Sequence, residues 1–349
     1  MIPRTGSRPV IFREHTGFQS NARLPPARST GNLRARAPGA GGGMPAGPRT
    51  SVAGPPAPPP GWPYDADVAS GDRGGAAPAE DVLVRELSTP VAADGGAPGP
   101  VRSLVHVPRD AAAGRVRAPL VVCCHGLGES GLRVAPVARR LARAGAVAIC
   151  PSFRGGGAPT AGATTSMSVL TQIADLEAVL DAALAWPFVD AGRTALFGRS
   201  LGGLVAVLTA ARRPAQTGAL VLWYPALRAP SSVRARFGVR AAVPGTYAVR
   251  VDGRDVVLGR RYALDAWDLD VDAALGRLRA PVLLLHGDRD ADAPIEASEA
   301  AARILPDARL ERVVGAAHGF GDELLTAALE RTARFLAWSG VLEPAGEPQ

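Results

Sequence analysis

The stretch "ALFGRSLGGLVAV" (residues 195–207) decides how this chain is read. Ser200 sits between Gly198 and Gly202, with Gly203 next, directly after one apolar run and directly before another. Glycine weakens a strand or a helix by its backbone entropy, so four residues of strand followed at once by this cluster mark a place where side chains do not fit. "TALF" reads as the end of a strand and "LGGLVAV" as the start of a helix. A sharp turn between them raises Ser200 at the carboxyl edge of a sheet, in a strained backbone conformation. Gly198 and Gly202 then lie where strand and helix come closest, and a β-carbon at either would clash. In a strand–turn–helix context, G-x-S-x-G presents a nucleophile, and the new helix aims its free N–H groups and positive dipole end at the serine. A tight structural turn is the other reading of the same motif.

Outward from this turn the chain alternates. "PLVVCCHG" is a continuous apolar run suited to a strand buried on both faces, and "VAPVARRLARAG" has helical spacing ending at Gly145. "AVAIC" reads as a strand and "SVLTQIADLEAVLDAALAW" as a long helix with apolar positions near i, i+3, i+4 and i+7. Beyond the serine come strands at "GALVLWYP", "APVLLLHGD" and "ARLERVVG", with helices at "EASEAAARIL" and "DELLTAALERTARFLAWSG". "VLVREL" and "VRSLVHVP" precede them as two strands joined by a Gly/Pro-rich turn, Asp94 to Pro100. This alternation predicts an α/β fold, a mostly parallel sheet with helices on both faces. One stretch, Ala226 to Asp270, interrupts it as an insertion.

Residues 1–75 are dominated by Pro, Gly, Ala, Ser and Arg and are expected to form an unstructured arm, with the catalytic domain over residues 76–345. Met44 offers an alternative start within the arm. The net charge of +7 is carried by the first 50 residues, where eight arginines face Glu14 alone. With no lysine anywhere, this reads as coding bias rather than as a nucleic-acid surface, and no specific nucleic-acid partner is expected. Cys123, Cys124 and Cys150 lie in apolar runs and read as buried strand residues, neither a disulfide framework nor a metal site. No stretch approaches the length of a membrane span or the apolar core of a signal peptide, so a cytoplasmic location is expected.

A serine needs a base, and the base an orienting acid. The elbow residues and the βα alternation over residues 80–340 resemble the α/β-hydrolase superfamily, which implies that fold with a small lid and the chain order Ser, Asp or Glu, His. Of the five histidines, His15 is in the arm, His106 is inside an early strand, and His125 and His286 begin HG motifs. His318 follows the last predicted strand, where the superfamily keeps its base. "LLLHGDRDADAP" offers Asp288, Asp290 and Asp292. The related H-G-D-x-D-x-x-x-P pattern implies Asp290 as the acid, with Asp288 structuring the turn and Asp292 peripheral; the opposite assignment of Asp290 and Asp288 stays open. The oxyanion hole is expected at the backbone N–H of Leu201 and, by resemblance to H-G-x-G loops, that of Leu127, with Gly126 and Gly128 letting the backbone approach. His125 is expected to anchor this loop, and Glu129 reads either as a pocket residue or as a solvated carboxylate.

"CPSFRGGGAPTAGATTSMSVLTQIADLEAVLDAAL" looks like a pattern near the elbow of the cinnamoyl/feruloyl-esterase-like branch, which also holds acyl-peptidase-like relatives. It departs from that pattern at Ser152, Gly157 and Ala158. Arg154 reads as tying the loop to neighbouring carbonyls or as a surface arginine. Residues 226–270 are expected to form a lid, with "YAVRVDGRDVVLGRRY" as a hairpin turning at Asp252–Gly253. Tyr224, Tyr247, Tyr262, Phe237 and Trp267 read either as aromatics around an acyl pocket or as ordinary packing of the insertion. The reading is a serine hydrolase of small carboxylic esters, using Ser200, Asp290 and His318 through an acyl-enzyme, with no cofactor and no metal. A peptidase or amidase of the acyl-peptidase type and a non-catalytic binding module on the same scaffold are its alternatives.

Overall fold

The computed structural model describes residues 12–14, 81–92, 99–157 and 162–344, all within one compact unit. The rest of the 1–75 arm, Met44, most of the turn after Asp94 and the departure at Ala158 lie outside the described residues.

Nine strands form one sheet: β1 (Phe12–Glu14), β2 (Val82–Thr89), β3 (Val101–Pro108), β4 (Ala118–Cys124), β5 (Val147–Ser152), β6 (Val189–Arg199), β7 (Ala219–Trp223), β10 (Val282–Gly287) and β11 (Ala308–Val313). Their order is β1-β11-β10-β7-β6-β4-β5-β3-β2. From β5 across to β11 all neighbours are parallel, while β2, β3 and β1 pair antiparallel at the two edges. Two further strands, β8 (Thr246–Val251) and β9 (Arg254–Gly259), form a separate hairpin.

The helices are α1 (Arg109–Ala112), α2 (Ala135–Arg143), α3 (Val169–Leu184), α4 (Leu201–Arg212), α5 (Ala229–Phe237), α6 (Arg260–Trp267), α7 (Val271–Arg277), α8 (Glu296–Ile304) and α9 (Asp322–Trp338).

Why these strands are central is visible in β4. Every residue of it is buried, and alternate side chains feed different cores: Leu120, Val122 and Cys124 join one, Val121 and Cys123 the other. A strand that must be apolar on both faces reads as an unbroken hydrophobic run. The three cysteines are buried free thiols in these cores. Helix α3 starts where the chain can satisfy its first N–H groups: the Ser168 hydroxyl accepts from the Thr171 N–H and the Thr171 hydroxyl from the Ser168 N–H.

Two features differ from the sequence reading. Within the stretch expected to be unstructured, Phe12–Glu14 pairs antiparallel with Val313–Glu311 of β11. Backbone pairing to an open sheet edge needs no apolar periodicity, so composition carries no trace of it. The insertion 226–270 holds the expected hairpin, with φ of 50° at Asp252 and 69° at Gly253, but also α5 and α6. Both helices are short and Arg-rich, and their apolar faces meet the rest of the protein only at a few residues such as Val233, Tyr262 and Ala266. That is too little repetition to stand out as a period. Among the described residues, no helix is long and apolar enough to cross a membrane.

Candidate active site

Ser200 occupies the junction of β6 and α4 with φ 50° and ψ −124°. For a non-glycine residue this backbone is strained, and the surroundings hold it. Its N–H donates to the Trp223 carbonyl at 3.0 Å, and its own carbonyl accepts from Ala226 N–H at 2.9 Å. A β-carbon on Gly198 would overlap the Gly202 carbonyl, and one on Gly202 would overlap the carbonyls of Cys124 and His125. The two glycines flanking the serine are thus required by backbone-to-backbone contact, where no rotamer change can give relief.

His318 and Asp290 reach this point from the loops after β11 and β10. His318 Nε2 lies 2.9 Å from Ser200 Oγ, and its Nδ1 lies 2.7 Å from Asp290 Oδ2. The other Asp290 oxygen accepts from the N–H groups of Asp292 (3.0 Å) and Ala293 (2.8 Å). Burial favours the neutral acid, but hydrogen bonds from His286, His318 and the Ala293 N–H outweigh it and hold the carboxyl well below the usual carboxylate range. Asp288 goes elsewhere: its Oδ1 accepts from Gly315 N–H at 2.7 Å. Asp292 accepts the Asp252 N–H at 3.0 Å through Oδ2. His286 is fully buried between Ser298 Oγ (2.7 Å) and the Ala293 carbonyl (2.6 Å), so it braces the acid loop from below.

The loop after β4 runs beside the serine. A β-carbon on Gly126 would stand 3.3 Å from that of Ser200, and Gly128 has φ +68°. Leu127 and Leu201 border the same cavity as Ser200 and His318, and neither backbone N–H has a partner among the described residues. His125 fastens the loop: its Nε2 accepts the Phe153 N–H at 3.1 Å and its Nδ1 meets the Gly126 carbonyl at 2.8 Å. Burial keeps its pKa below the ordinary value.

The cavity holds about 400 Å³, within the ordinary range for small-molecule sites. Its walls are Leu227, Val233, Phe237, Tyr247, Leu258 and Tyr262, mostly from the insertion. Burial pushes the Tyr247 hydroxyl up to about 12, so it stays neutral.

Four sequence expectations are corrected here. Tyr224 faces away from the cavity wall, with its ring edge-on to His318 at 4.9 Å and its hydroxyl bonded to Arg199. Trp267 lines a second cavity between α5, α7 and α8. Arg154 is neither exposed nor bound to carbonyls alone: it pairs with buried Asp175 of α3 at 2.6 Å. Glu129 is buried and tied to Gly126 N–H at 2.7 Å and to Arg199. Arg199, at a variable position of the G-x-S-x-G motif, is a site residue that motif reading does not single out. A lone charge inside "ALFGRSLGG" was the available signal, because a strand buried on both faces admits a guanidinium only if it is paired.

Residues 116–254 match a family model described as serine aminopeptidase, S33. The match takes in the β4 loop and the elbow and ends in the hairpin, before Asp290 and His318. Among solved structures, Est1E from Butyrivibrio proteoclasticus with ferulic acid bound gives a TM-score of 0.62 at 23% identity, over 72% of this chain and 98% of that one. A monoacylglycerol lipase of Paleococcus ferrophilus gives 0.54 at 22%, over 64% and 97%. The alpha/beta hydrolase GrgF from Penicillium sp. sh18 gives 0.58 at 16%, over 74% and 98%. Sheet order, elbow and these likenesses agree that the chain is an α/β hydrolase by fold.

Proposed function

We propose that this chain is a serine esterase acting on small carboxylic esters, with Ser200 as nucleophile, His318 as general base and Asp290 as the group that orients it. The observation that carries this reading is the unbroken hydrogen-bond chain from Asp290 through His318 to Ser200, at 2.7 and 2.9 Å, opening on the apolar cavity. Ser200 Oγ attacks the ester carbonyl carbon while its proton passes to His318 Nε2. The Leu127 and Leu201 N–H groups receive the negative charge that develops on the carbonyl oxygen; losing one such donor costs about 3 kcal/mol of transition-state stabilisation. The carbon–oxygen bond to the alcohol breaks as His318 returns the proton to the leaving oxygen. Water then attacks the acyl-enzyme carbonyl and gives a proton to His318; the bond from the acyl carbon to Ser200 Oγ breaks as His318 passes that proton to Oγ, releasing the acid and restoring the serine hydroxyl. Asp290 keeps the imidazole in the tautomer with Nδ1–H toward itself and stabilises the imidazolium. The cavity walls supplied by residues 226–270 are the proposed acyl pocket and lid, and the similarity to esterase and lipase structures supports a small-molecule ester rather than a polymer.

A second reading, cleavage of amides, is favoured by one observation, the match to the serine aminopeptidase model. Turnover of a p-nitrophenyl ester and a p-nitroanilide of the same acyl group separates the two. The mechanism itself is tested with a fluorophosphonate probe and p-nitrophenyl acetate. Wild type should label and hydrolyse, while Ser200→Ala and His318→Ala should do neither. A folded Ser200→Ala protein that keeps wild-type turnover sinks the mechanism, and wild type that never labels favours a binding module.

A further inference from the structure

Arg199 immediately precedes the serine, yet its side chain turns away from the cavity into a buried site of its own. Its three nitrogens reach three different parts of the molecule. Nε donates to the Tyr224 hydroxyl at 2.9 Å. Nη1 donates to Glu129 Oε1, and Nη2 lies 3.8 Å from Asp252 Oδ2 at the tip of the lid hairpin.

Each partner is connected onward. Glu129 uses its second oxygen to hold Gly126 N–H at 2.7 Å, one residue before the Leu127 N–H. The Tyr224 ring packs on His318. Asp252 donates its N–H to Asp292, whose own N–H donates to Asp290. The lid also leans on the same loop: a β-carbon on Gly128 would stand 2.8 Å from Val256 of β9.

We propose that Arg199 is a positioning residue whose planar fork fixes the Gly126–Glu129 loop through Glu129 and the lid hairpin through Asp252, so that the oxyanion-binding N–H groups are set only while the lid is seated. The proposal rests on the esterase reading above. Its physical basis is that Arg199 and Glu129 are both 95% or more buried along their side chains. A buried pair is costly to break but constrains geometry. Only a guanidinium presents donors in three fixed directions, so lysine is no equivalent.

The variants are chosen so that an unpaired buried charge is not mistaken for lost positioning. The double variant Glu129→Ala/Arg199→Met removes both charges together and frees Gly126 N–H. Its kcat on p-nitrophenyl butyrate should fall about 10²-fold, the cost of misplacing a reacting contact by ~1 Å, with KM within about threefold. Inhibition by a trifluoromethyl ketone, which needs the oxyanion site, should weaken by a similar factor. Arg199→Lys should recover less than a tenth of the loss. Asp252→Asn, which tolerates the turn backbone, should act on the same loop from the lid side, lowering kcat about three- to tenfold for a bulky ester. Arg133→Ala is the control, because Arg133 meets Glu129 from a largely exposed position where solvent screens the pair, and should leave kcat within twofold. Fluorophosphonate labelling of the double variant, lost when Ser200→Ala is added, shows that the esterase reading holds whatever the positioning result. A folded double variant with wild-type kcat and wild-type ketone inhibition overturns the positioning role. So does full rescue by lysine.

Discussion

The elbow and the 226–270 insertion, the proposed lid, border the same cavity but are held by different physics. Around Ser200 backbone packs on backbone: β6 is flanked by β4 and β7, α4 lies on it through two glycines, and nearly every residue from Ala195 to Ala210 is buried. The insertion is a two-stranded hairpin and two short helices, with alternate residues of β8 exposed and Arg254, Asp255 and Val257 of β9 exposed. Two strands alone are marginal in water, so the lid borrows its order from Phe237–Tyr247 packing, from Arg199–Asp252 and from the Asp252 N–H to Asp292 bond. A rigid frame fixes reacting groups to fractions of an ångström. A thin insertion on that frame is free to vary in shape and so is the natural place for substrate selection.

The largest effect should come from the frame. Asp290→Asn keeps the shape but favours the wrong histidine tautomer, and should lower kcat by about 10⁴-fold. Asp288→Asn, whose carboxylate holds Gly315 N–H instead of His318, should cost less than about tenfold, the order of one hydrogen bond at ~1 kcal/mol. Steady-state kinetics on one ester decides, and equal losses would move the orienting role to Asp288.

The next contrast is between two glycines. Gly198→Ala must push apart β6 and α4 at a backbone carbonyl, and should lower stability by more than about 3 kcal/mol or prevent folding. Gly253→Ala, in the lid turn with φ +69° and nothing near its β-carbon, should cost only ~1 kcal/mol of backbone strain. Urea midpoints measure both. Similar losses would mean that the lid is as tightly determined as the elbow.

Acid should act on the frame first. Burial holds the pKa of both His106 and His125 below the ordinary 6.5. The folded state therefore binds fewer protons than the unfolded chain as pH drops through 6.5. Their contribution is complete above pH 6.5 and is lost on going lower, by up to about 1.4 kcal/mol per pH unit for each histidine. Asp290, held below 3.8, adds stability that is present above that value and is lost in stronger acid. Denaturant midpoints at pH 8, 6.5 and 5 should be level across the first interval and fall across the second. A flat profile down to pH 5 would contradict the buried, neutral histidines.

The smallest effect is on the lid. The Tyr247 hydroxyl is buried without a hydrogen-bond partner among the described residues. Tyr247→Phe should leave the thermal midpoint unchanged or raise it by the equivalent of about 1 kcal/mol, since no bond is lost and a polar group is spared burial. A clear drop would show that this hydroxyl works in the lid after all.

How much of this was legible depends on the range of the interactions. The elbow was readable because its constraint is local: strand, turn and helix are contiguous, and Gly198 and Gly202 betray the contact directly. The hairpin was readable from Asp252–Gly253 for the same reason. Asp290 over Asp288 followed only from the resemblance and stayed open on the residues themselves, because a choice between residues two apart turns on which carboxylate meets a histidine 28 residues away. The sequence leaves Glu129 open between a pocket residue and a solvated carboxylate and gives Arg199 no role. Each is 70 positions from its partner, and only the meeting of β4 and β6 in the sheet puts them together.

The amino-acid order by itself therefore determined the βα alternation, the turn that carries Ser200, the loop that carries His318 and the presence of an insertion, since periodicity and glycine placement act within a few residues. Tertiary structure alone decided which aspartate faces His318, which aromatics wall the cavity, that Phe12–Glu14 extends the sheet, and that a buried arginine links the loop beside Ser200 to the lid. Those outcomes depend on distances between segments far apart in the chain, which are set when the sheet assembles and the polar groups it buries must find partners.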